Sequence, residues 1–216
     1  MGTWAGKLQK RIRDMKGRAT AVLWYQWMFY RIGSKCSISP PFYGHQLEHA
    51  ELGYGVSIGP GCRMEVHPEE RRNKQPRPIL HIGDRTRLGH HVTISCHQSL
   101  FIGDEALIAG GCYISDNNHS IDPEGPRYLN QPLKGQKTII EKGVWLGQNV
   151  CVLAGSHIGE RSIIGAGSVV SGTIPAYSIA VGNPARIVKQ YSFETKKWER
   201  VDSGEEPAAS LMRIGS

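Results

Sequence analysis

Aliphatic residues recur at every sixth position between residues 140 and 170: Ile140, Leu146, Val152, Ile158, Ile164 and Val170. A second series lies four positions after each of the first five and holds only small or β-branched residues: Val144, Val150, Ser156, Ser162 and Ser168. Neither the 3.6-residue period of a helix nor the alternation of a strand produces two series locked at six. A solenoid whose flat sides each use one hexapeptide produces both. Its aliphatic residue points inward, its small residue fills a crowded corner, and glycine behind the aliphatic residue (Gly147, Gly159, Gly165) serves the bend.

The same period covers most of the chain before residue 140. It begins weakly at Ile32 and Ile38, and is then carried by three more blocks of three positions each: Leu52, Ile58 and Met64; Ile82, Leu88 and Ile94; Ile102, Ile108 and Ile114. With the six positions from 140 to 170, the three later blocks give fifteen inward residues.

The interruptions of the period predict where the chain leaves the solenoid. The step from Ile94 to Ile102 is eight residues, which predicts a two-residue bulge at 97–99. Residues 65–78 are rich in charge and proline, and residues 118–137 have no period at all. We interpret both as loops, and a long excursion between intact repeats is typical of a segment that carries function.

This chain of hexapeptides resembles the hexapeptide-repeat acyltransferases, and the VGNPAR string near its end is similar to the closing turn of that family. The resemblance implies a left-handed parallel β-helix with three hexapeptides per turn, against the usual right-handed rule for parallel strands. Fifteen inward residues then make an all-β solenoid of about five turns, or one more if Ile32 and Ile38 are counted. We expect the β-helix to span 32–174 and a closing segment to span 175–202, with a short C-terminal helix over 186–200. Residues 203–216 have the composition of a frayed tail.

Apolar residues at near 3.6-residue spacing predict a helix over residues 4–31. Its second half contains Trp24, Tyr25, Trp27, Phe29 and Tyr30, and its first half is rich in lysine and arginine. Two roles fit this segment 1–31: a cap that buries the aromatics against the first turn, or a weak peripheral contact with a membrane interface. The cap is favoured, because any solenoid needs its first turn covered.

Composition adds three constraints. Hydrophobic residues make up 39% of the 216, which suits a thin solenoid with one large aliphatic residue inside per hexapeptide. Of the five cysteines, Cys36, Cys62 and Cys112 fall in the small inward series, which favours reduced packing residues in a cytosolic protein over disulfides or metal ligands. The net charge of +7 suits an anionic ligand or an anionic lipid surface. No apolar stretch approaches the length of a membrane span, and no signal peptide is visible.

His119 lies at the start of the aperiodic loop, in the string ISDNNHSID. The resemblance implies that it is the catalytic histidine. An alcohol must lose its proton as it attacks a thioester, and imidazole is matched to that task near neutral pH. We expect Asp116, three residues earlier, to orient the ring. His97 is about one rung from the loop, where sugar-acetylating relatives carry an acceptor-binding residue, so the resemblance implies contact with substrate. Aspartate is common at that place in the family, and the histidine here leaves the acceptor open.

The resemblance also implies that acetyl-CoA is the acyl donor and that it lies in a groove between neighbouring solenoids. Matching position by position assigns the following residues to the cofactor: Trp145, Gly147, Gln148, Ala166, Ser171, Arg186 and Lys189. Arg186 and Lys189 are the cations that phosphate recognition requires. The backbone amide near Gly147 and Gln148 is a candidate oxyanion donor.

The function expected from these residues is O-acetylation of a sugar hydroxyl by a cytoplasmic homotrimer, in cell-surface polysaccharide synthesis and at or near the inner face of the membrane. N-acetyl transfer to a nucleotide-linked amino sugar, and transfer to serine or an antibiotic, remain open alternatives. A γ-type carbonic anhydrase needs three converging histidines, and this loop offers His119 but Glu124 five residues later. A non-catalytic solenoid is disfavoured by the intact ISDNNH and VGNPAR strings. No metal and no nucleic acid is expected.

Overall fold

A computed structural model describes residues 15, 19, 24–69 and 77–201. Within these residues the chain winds through three parallel sheets, A, B and C, in repeated order, which makes a parallel β-helix of triangular section. No helix of this described part is both long and apolar enough to cross a membrane.

The strands are short, and those of each parallel sheet stack along the solenoid axis. Sheet A contains β1 (Arg31–Ile32), β4 (Ala50–Leu52), β7 (Leu80–Ile82), β10 (Leu100–Ile102), β15 (Thr138–Ile140), β18 (His157–Ile158) and β21 (Thr173–Ile174). Sheet B contains β2 (Ser37–Ile38), β5 (Ser57–Ile58), β8 (Arg87–Leu88), β11 (Leu107–Ile108), β16 (Trp145–Leu146), β19 (Ile163–Ile164), β22 (Ser178–Val181), β23 (Arg186–Ser192) and β24 (Lys197–Arg200). Sheet C contains β3 (Phe42–His45), β6 (Cys62–Val66), β9 (Thr93–Cys96), β12 (Tyr113–Ser115), β17 (Cys151–Val152) and β20 (Val169–Val170). A separate hairpin pairs β13 (Asn117–His119) with β14 (Leu133–Gly135), and 3-10 turns form at Leu47–His49 and Tyr128–Asn130.

The solenoid contains the additional turn that Ile32 and Ile38 indicate, and part of another. The described chain passes six times through sheets A, B and C and then adds β21 and β22 of a seventh turn. The third side of the first turn breaks the period because Gly44 pairs with Met64 at the inward position of β3, where Leu47 fills the interior instead. The last turn was hidden because its inward residue in sheet B is Ala180.

The two periodic series form the core, as the sequence predicts. All fifteen aliphatic positions are buried, and so are the small residues four positions later. The hydroxyl of Ser162 donates to the carbonyl of Pro175 at 2.7 Å, so a polar residue is satisfied at the corner. The thiols of Cys36, Cys62 and Cys112 are free and donate to carbonyls of the adjacent coil. All three side chains are buried in the core, as expected of packing residues, and this burial raises the pKa of each thiol.

The glycines that directly follow inward residues are not required for the bend, as was expected, but for the stacking of neighbouring coils. The bend lies three positions after the inward residue, where Gly167 has φ +71° and even Arg161 has φ +54°. Gly103, directly behind Ile102, is required by stacking, because a Cβ there would lie 2.6 Å from the backbone nitrogen of Lys142 in the next coil. These glycines therefore set how closely neighbouring coils approach.

The expected C-terminal helix over 186–200 is wrong. Strands β23 and β24 form an antiparallel hairpin that continues sheet B beyond β22. The outer edge of β22 would otherwise present unpaired backbone groups, and an antiparallel strand satisfies them whereas a helix would not. Tyr191 packs against Phe193 and Trp198 and stabilises the hairpin.

Most of the predicted helix over 4–31 lies outside the described residues. Within 24–31 the helix is wrong: the amides of Met28 and Phe29 both donate to the carbonyl of Tyr25, which closes one turn before β1. The expectation that five aromatics are buried is also wrong for three of them: Trp24, Trp27 and Tyr30. Only Tyr25 and Phe29 pack on the first coil, against Phe42.

A substitution that separates stacking from bending tests the role of these glycines. Gly103→Ala should lower the free energy of unfolding by about 2 kcal/mol, because the added methyl forces neighbouring coils apart. Gly167→Ala, with nothing within 4 Å of a Cβ, should cost only about 1 kcal/mol for its left-handed backbone. Urea denaturation followed by circular dichroism compares the two, and equal midpoints would contradict this account.

Candidate active site

Residues 116–137 leave the solenoid at the corner between sheets C and A. The loop begins and ends as the hairpin β13–β14, in which His119 pairs with Leu133. Beneath it the hydroxyl of Thr138 donates to the carbonyl of Ser115 at 2.9 Å, so the two ends of the loop are joined and the coil continues. The excursion predicted from the missing period is thus an ordered hairpin with its base in the solenoid wall.

Gln131 holds the tip of this loop, a role that the sequence did not indicate. Its side chain is 5% exposed, and its amide nitrogen donates to the carbonyls of Asp122 and Pro126, both at 2.8 Å. Its amide oxygen accepts from the backbone nitrogen of Asp122 at 3.1 Å. Three bonds from one buried amide fix a stretch without regular structure. In the sequence Gln131 is only one polar residue of an aperiodic segment, so its burial and its three bonds could not be predicted.

His119 opens onto a cavity of about 670 Å³ formed by the hairpin and the next coil. The cavity is lined by Asn118, His119, Ser120, Ile121, Tyr128, Lys134, Gly135, Gln136 and Ala154. His119 is exposed, and its Nδ1 lies 3.4 Å from the carbonyl oxygen of Gln131. An Nδ1–H directed at this carbonyl leaves Nε2 as the basic nitrogen. The lining contains Lys134 and no acidic residue, so it favours an anionic ligand.

Asp116 does not orient His119, contrary to expectation. Its carboxylate is fully buried and accepts from the backbone nitrogens of His97, Gln98 and Ser99 at 2.7, 2.9 and 2.6 Å. The side-chain amide of Asn117 donates to it at 3.0 Å. Asp116 therefore satisfies the backbone of the predicted bulge, whose extra residues cannot join the ladder of sheet C.

His97 lies at the base of the hairpin and does not line the cavity. Its Nδ1 contacts the carbonyl oxygen of His67 one coil below. A Cβ on Gly135 would meet the side chains of His97 and Gln98, so the bulge supports the returning strand β14. The structure brings His97 beside the hairpin that carries His119, but not into the space that His119 faces.

Three of the seven residues assigned to a cofactor lie at a different edge of sheet C. Gly147 and Ala166 stack at the corner between sheets B and C, where a Cβ on Gly147 would lie 2.6 Å from the nitrogen of Ala166. Gln148 is at the same corner and is exposed. Ser171 instead follows β20 at the corner of sheets C and A, on the side of His119. One chain thus places His119 at one edge of sheet C, and Gly147, Gln148 and Ala166 at the other.

Trp145 and the two cations lie on sheet B. The register carries a row across the sheet from Trp145 through Ile163 and Ile179 to Lys189. At the usual strand spacing this places Trp145 and Lys189 about 14 Å apart on one face. Arg186 is exposed on the same strand as Lys189. An apolar strip ending in cations fits an elongated ligand with phosphates at one end.

The Gly147 amide is not available as an oxyanion donor, since it donates to the carbonyl of Ile164 at 2.8 Å. This hydrogen bond, which belongs to the ladder of sheet B, excludes the Gly147 amide as an oxyanion donor. Among the residues that the structure describes, no group of three or more His, Cys, Asp or Glu is placed to hold a metal ion.

Comparison with known proteins identifies the repeats. The family described as bacterial transferase hexapeptide (six repeats) matches residues 137–172, and the hexapeptide repeat of succinyl-transferase matches residues 79–116. A protein of Escherichia coli K12 named as a lipopolysaccharide biosynthesis O-acetyl transferase, WbbJ, is 37% identical over 80% of this chain and 87% of its own length.

Solved structures have the same fold. A hexapeptide-repeat acetyltransferase of Vibrio cholerae superposes with a TM-score of 0.55 at 25% identity, over 86% of this chain and 88% of the other. A second structure of that protein, with acetyl coenzyme A, gives a TM-score of 0.54 at 23% identity over 86% and 84%. An N-acyltransferase of Bacillus cereus, AntD, gives a TM-score of 0.66 at 19% identity over 79% and 88%. With nearly nine-tenths of a relative at 37% identity aligned to it, the chain belongs to the hexapeptide-repeat acetyltransferases.

Proposed function

We propose that this protein transfers an acetyl group from acetyl-CoA to a hydroxyl of a sugar, with His119 as the general base. The observation that carries the proposal is the exposed imidazole at the mouth of an ordered cavity, its Nδ1 directed at a backbone carbonyl and its Nε2 left to accept a proton. The similarity to the O-acetyl transferase WbbJ supports a sugar of a cell-surface polysaccharide or its precursor as the acceptor.

The proposed reaction begins with proton transfer to Nε2 of His119. Nε2 of His119 takes the proton of the sugar hydroxyl as its oxygen attacks the thioester carbonyl. The tetrahedral intermediate collapses, the C–S bond breaks, and the thiolate of coenzyme A leaves and takes up the proton. The carbonyl of Gln131 stabilises the imidazolium that forms in between, in the place expected for Asp116. A backbone carbonyl in a loop held by a buried side chain keeps the ring in one orientation without a second charge.

The acyl donor acetyl-CoA would lie along sheet B and the corner between sheets B and C. Trp145 and the small Ala166 offer apolar surface and space for the pantetheine arm, and Arg186 and Lys189 offer positive charge for the phosphates. Exposed Ser171 would meet the arm near the acyl end. The presence of acetyl coenzyme A in the Vibrio cholerae relative supports this donor. His97, beneath the hairpin, remains a proposed contact for the acceptor.

We further propose a cytoplasmic homotrimer with the left-handed winding of its family. His119 is at one edge of sheet C and Gly147, Gln148 and Ala166 are at the other. Cyclic association of three triangular solenoids brings the first edge of one chain beside the second edge of its neighbour, and so completes each site between two subunits.

Transfer to an amino group is the second candidate, and the fold match to the N-acyltransferase AntD favours it. The two candidates differ in acceptor and not in the role of the base. Thiol release from acetyl-CoA, measured across matched pairs of hydroxy and amino sugars, free and nucleotide-linked, distinguishes them.

Removing the imidazole of His119 should lower the turnover rate. We expect His119→Ala to lower kcat by ~10²–10⁴ with little change in the KM for acetyl-CoA, because the imidazole acts on the acceptor proton. His81, on strand β7 of sheet A, which carries none of the proposed site residues, provides the control His81→Ala. Thiol-release kinetics measure both, and a His119→Ala enzyme within a few-fold of the parent would disprove the assignment.

Asp116→Asn separates a structural carboxylate from an orienting one. An amide cannot accept from all three backbone nitrogens of the bulge, so the free energy of unfolding should fall by about 2–3 kcal/mol. The kcat of the folded protein should stay within a few-fold of the parent value. An unchanged melting temperature with kcat lowered about as far as in His119→Ala would instead restore the orienting role.

Mixing two inactive variants tests whether the site is shared. His119→Ala lacks the base, and Ala166→Trp blocks the groove. Random trimers formed from equal amounts should regain about a quarter of the parent activity, since an intact contact needs an intact edge from each chain. Each variant alone, refolded in the same way, is the control. No recovery despite mixed trimers in mass spectrometry would place the whole site within one chain.

A further inference from the structure

The net positive charge of this protein comes from one end of its sequence. Residues 1–47 contain eight lysines and arginines and a single acidic residue, Asp14. Residues 48–216 contain eighteen basic and eighteen acidic residues and so contribute no net charge. The whole formal charge of +7 therefore belongs to the N-terminal segment and the first coil.

The same end presents large aromatic side chains to solvent. Trp24 is 74% exposed, Trp27 85% and Tyr30 51%, and Met28 is exposed beside them. We name these four residues the aromatic tip. The rest of the described solenoid exposes large apolar residues mostly one at a time on its flat sides, whereas here four of them fall within seven residues.

The turn that carries the aromatic tip is fixed to the solenoid. Phe29 is 5% exposed and stacks on Phe42 at 6.3 Å, and Tyr25 meets the same ring edge-on at 5.2 Å. The amide of Tyr30 lies within hydrogen-bond distance of the carbonyls of Leu47 and Ala50, at 3.1 and 3.0 Å. Two aromatics thus anchor the turn, and the others project away from the core that could have covered them.

We propose that the aromatic tip inserts into the interface of an anionic lipid bilayer, and that the cations of residues 1–47 bind the headgroups around it. Tryptophan and tyrosine favour the membrane interface because their rings are apolar and their N–H and O–H groups remain hydrated. A segment of +7 with one acidic residue is attracted by the negative surface of the bilayer. The two features share one end of the sequence, which a protein partner of mixed charge would not require.

This contact is peripheral, and it would hold the acetyltransferase at the membrane surface. It does not depend on the chemistry of His119, so it can fail while the proposed reaction stands. The experiment therefore measures binding to vesicles and thiol release on the same samples.

Co-sedimentation of the full chain with phosphatidylcholine vesicles, with and without phosphatidylglycerol, tests the proposal. Binding should require phosphatidylglycerol and should weaken between ~0.05 and ~0.5 M salt, as surface charges are screened. Trp24→Ser/Trp27→Ser should reduce partitioning by about tenfold or more without lowering the melting temperature, since both side chains are exposed. Lys10→Gln/Arg11→Gln/Arg13→Gln should cause a similar loss, because each cation near the surface contributes to binding.

The control removes the same charge elsewhere. Lys196→Gln/Lys197→Gln/Arg200→Gln takes three cations from the hairpin β23–β24 and should leave vesicle binding unchanged. Binding lost equally with this variant would show that only total charge matters and would overturn the proposal. Equal binding to neutral vesicles, or a Trp24→Ser/Trp27→Ser protein that binds vesicles like the parent but loses a self-association, would overturn it as well.

Discussion

The distance between neighbouring coils is the constraint on which this structure depends. Parallel strands stack about 4.8 Å apart, and every side chain must fit that spacing. One inward aliphatic residue per hexapeptide fills the interior, and residues such as Ser162 and Cys112 fill the corners while bonding to the adjacent coil. Gly103 has no alternative at its position, since even a methyl group would meet the backbone of Lys142. A sequence under this rule repeats every six residues because each side of the triangle imposes it again.

The same constraint decides where a site can arise. A side of the triangle cannot gain residues without breaking the inward column, whereas a corner can extend if the coil closes beneath it. The corner after β12 does so: Thr138 rejoins Ser115, and the hairpin with His119 projects outward. One coil earlier the backbone amides of the bulge at 97–99 lie outside the strand ladder and donate to the buried carboxylate of Asp116. Burying that carboxylate is tolerable because three backbone amides are directed at it.

Sequence periodicity predicts the core of this protein well, because the stacking rule acts on every repeat. It fails where other forces take over. At Gly44 the inward position is filled by Leu47 from outside the period, so the first turn shows only two periodic residues, Ile32 and Ile38. The segment over 186–200 was predicted to be a helix, but it forms a hairpin because it pairs with the open edge of β22. The local sequence gives little indication of such pairing. The proposal of His119 as the base follows from its place in a resembling motif, whereas the roles of Gln131 and Asp116 depend on contacts that no spacing reveals.

Each end of the solenoid has a terminal coil with no neighbour on one side, and the two ends cover that coil in different ways. A coil with nothing above or below it exposes strand edges and the apolar interior, which promotes end-to-end association. At the C-terminal end the antiparallel hairpin takes the edge of β22 and leaves β24 outermost, a strand of four residues in which Lys197, Glu199 and Arg200 are charged. At the N-terminal end Tyr25 and Phe29 already cover the first coil at Phe42. Trp24 and Trp27 therefore add no cover, and their exposure needs a cause outside the fold.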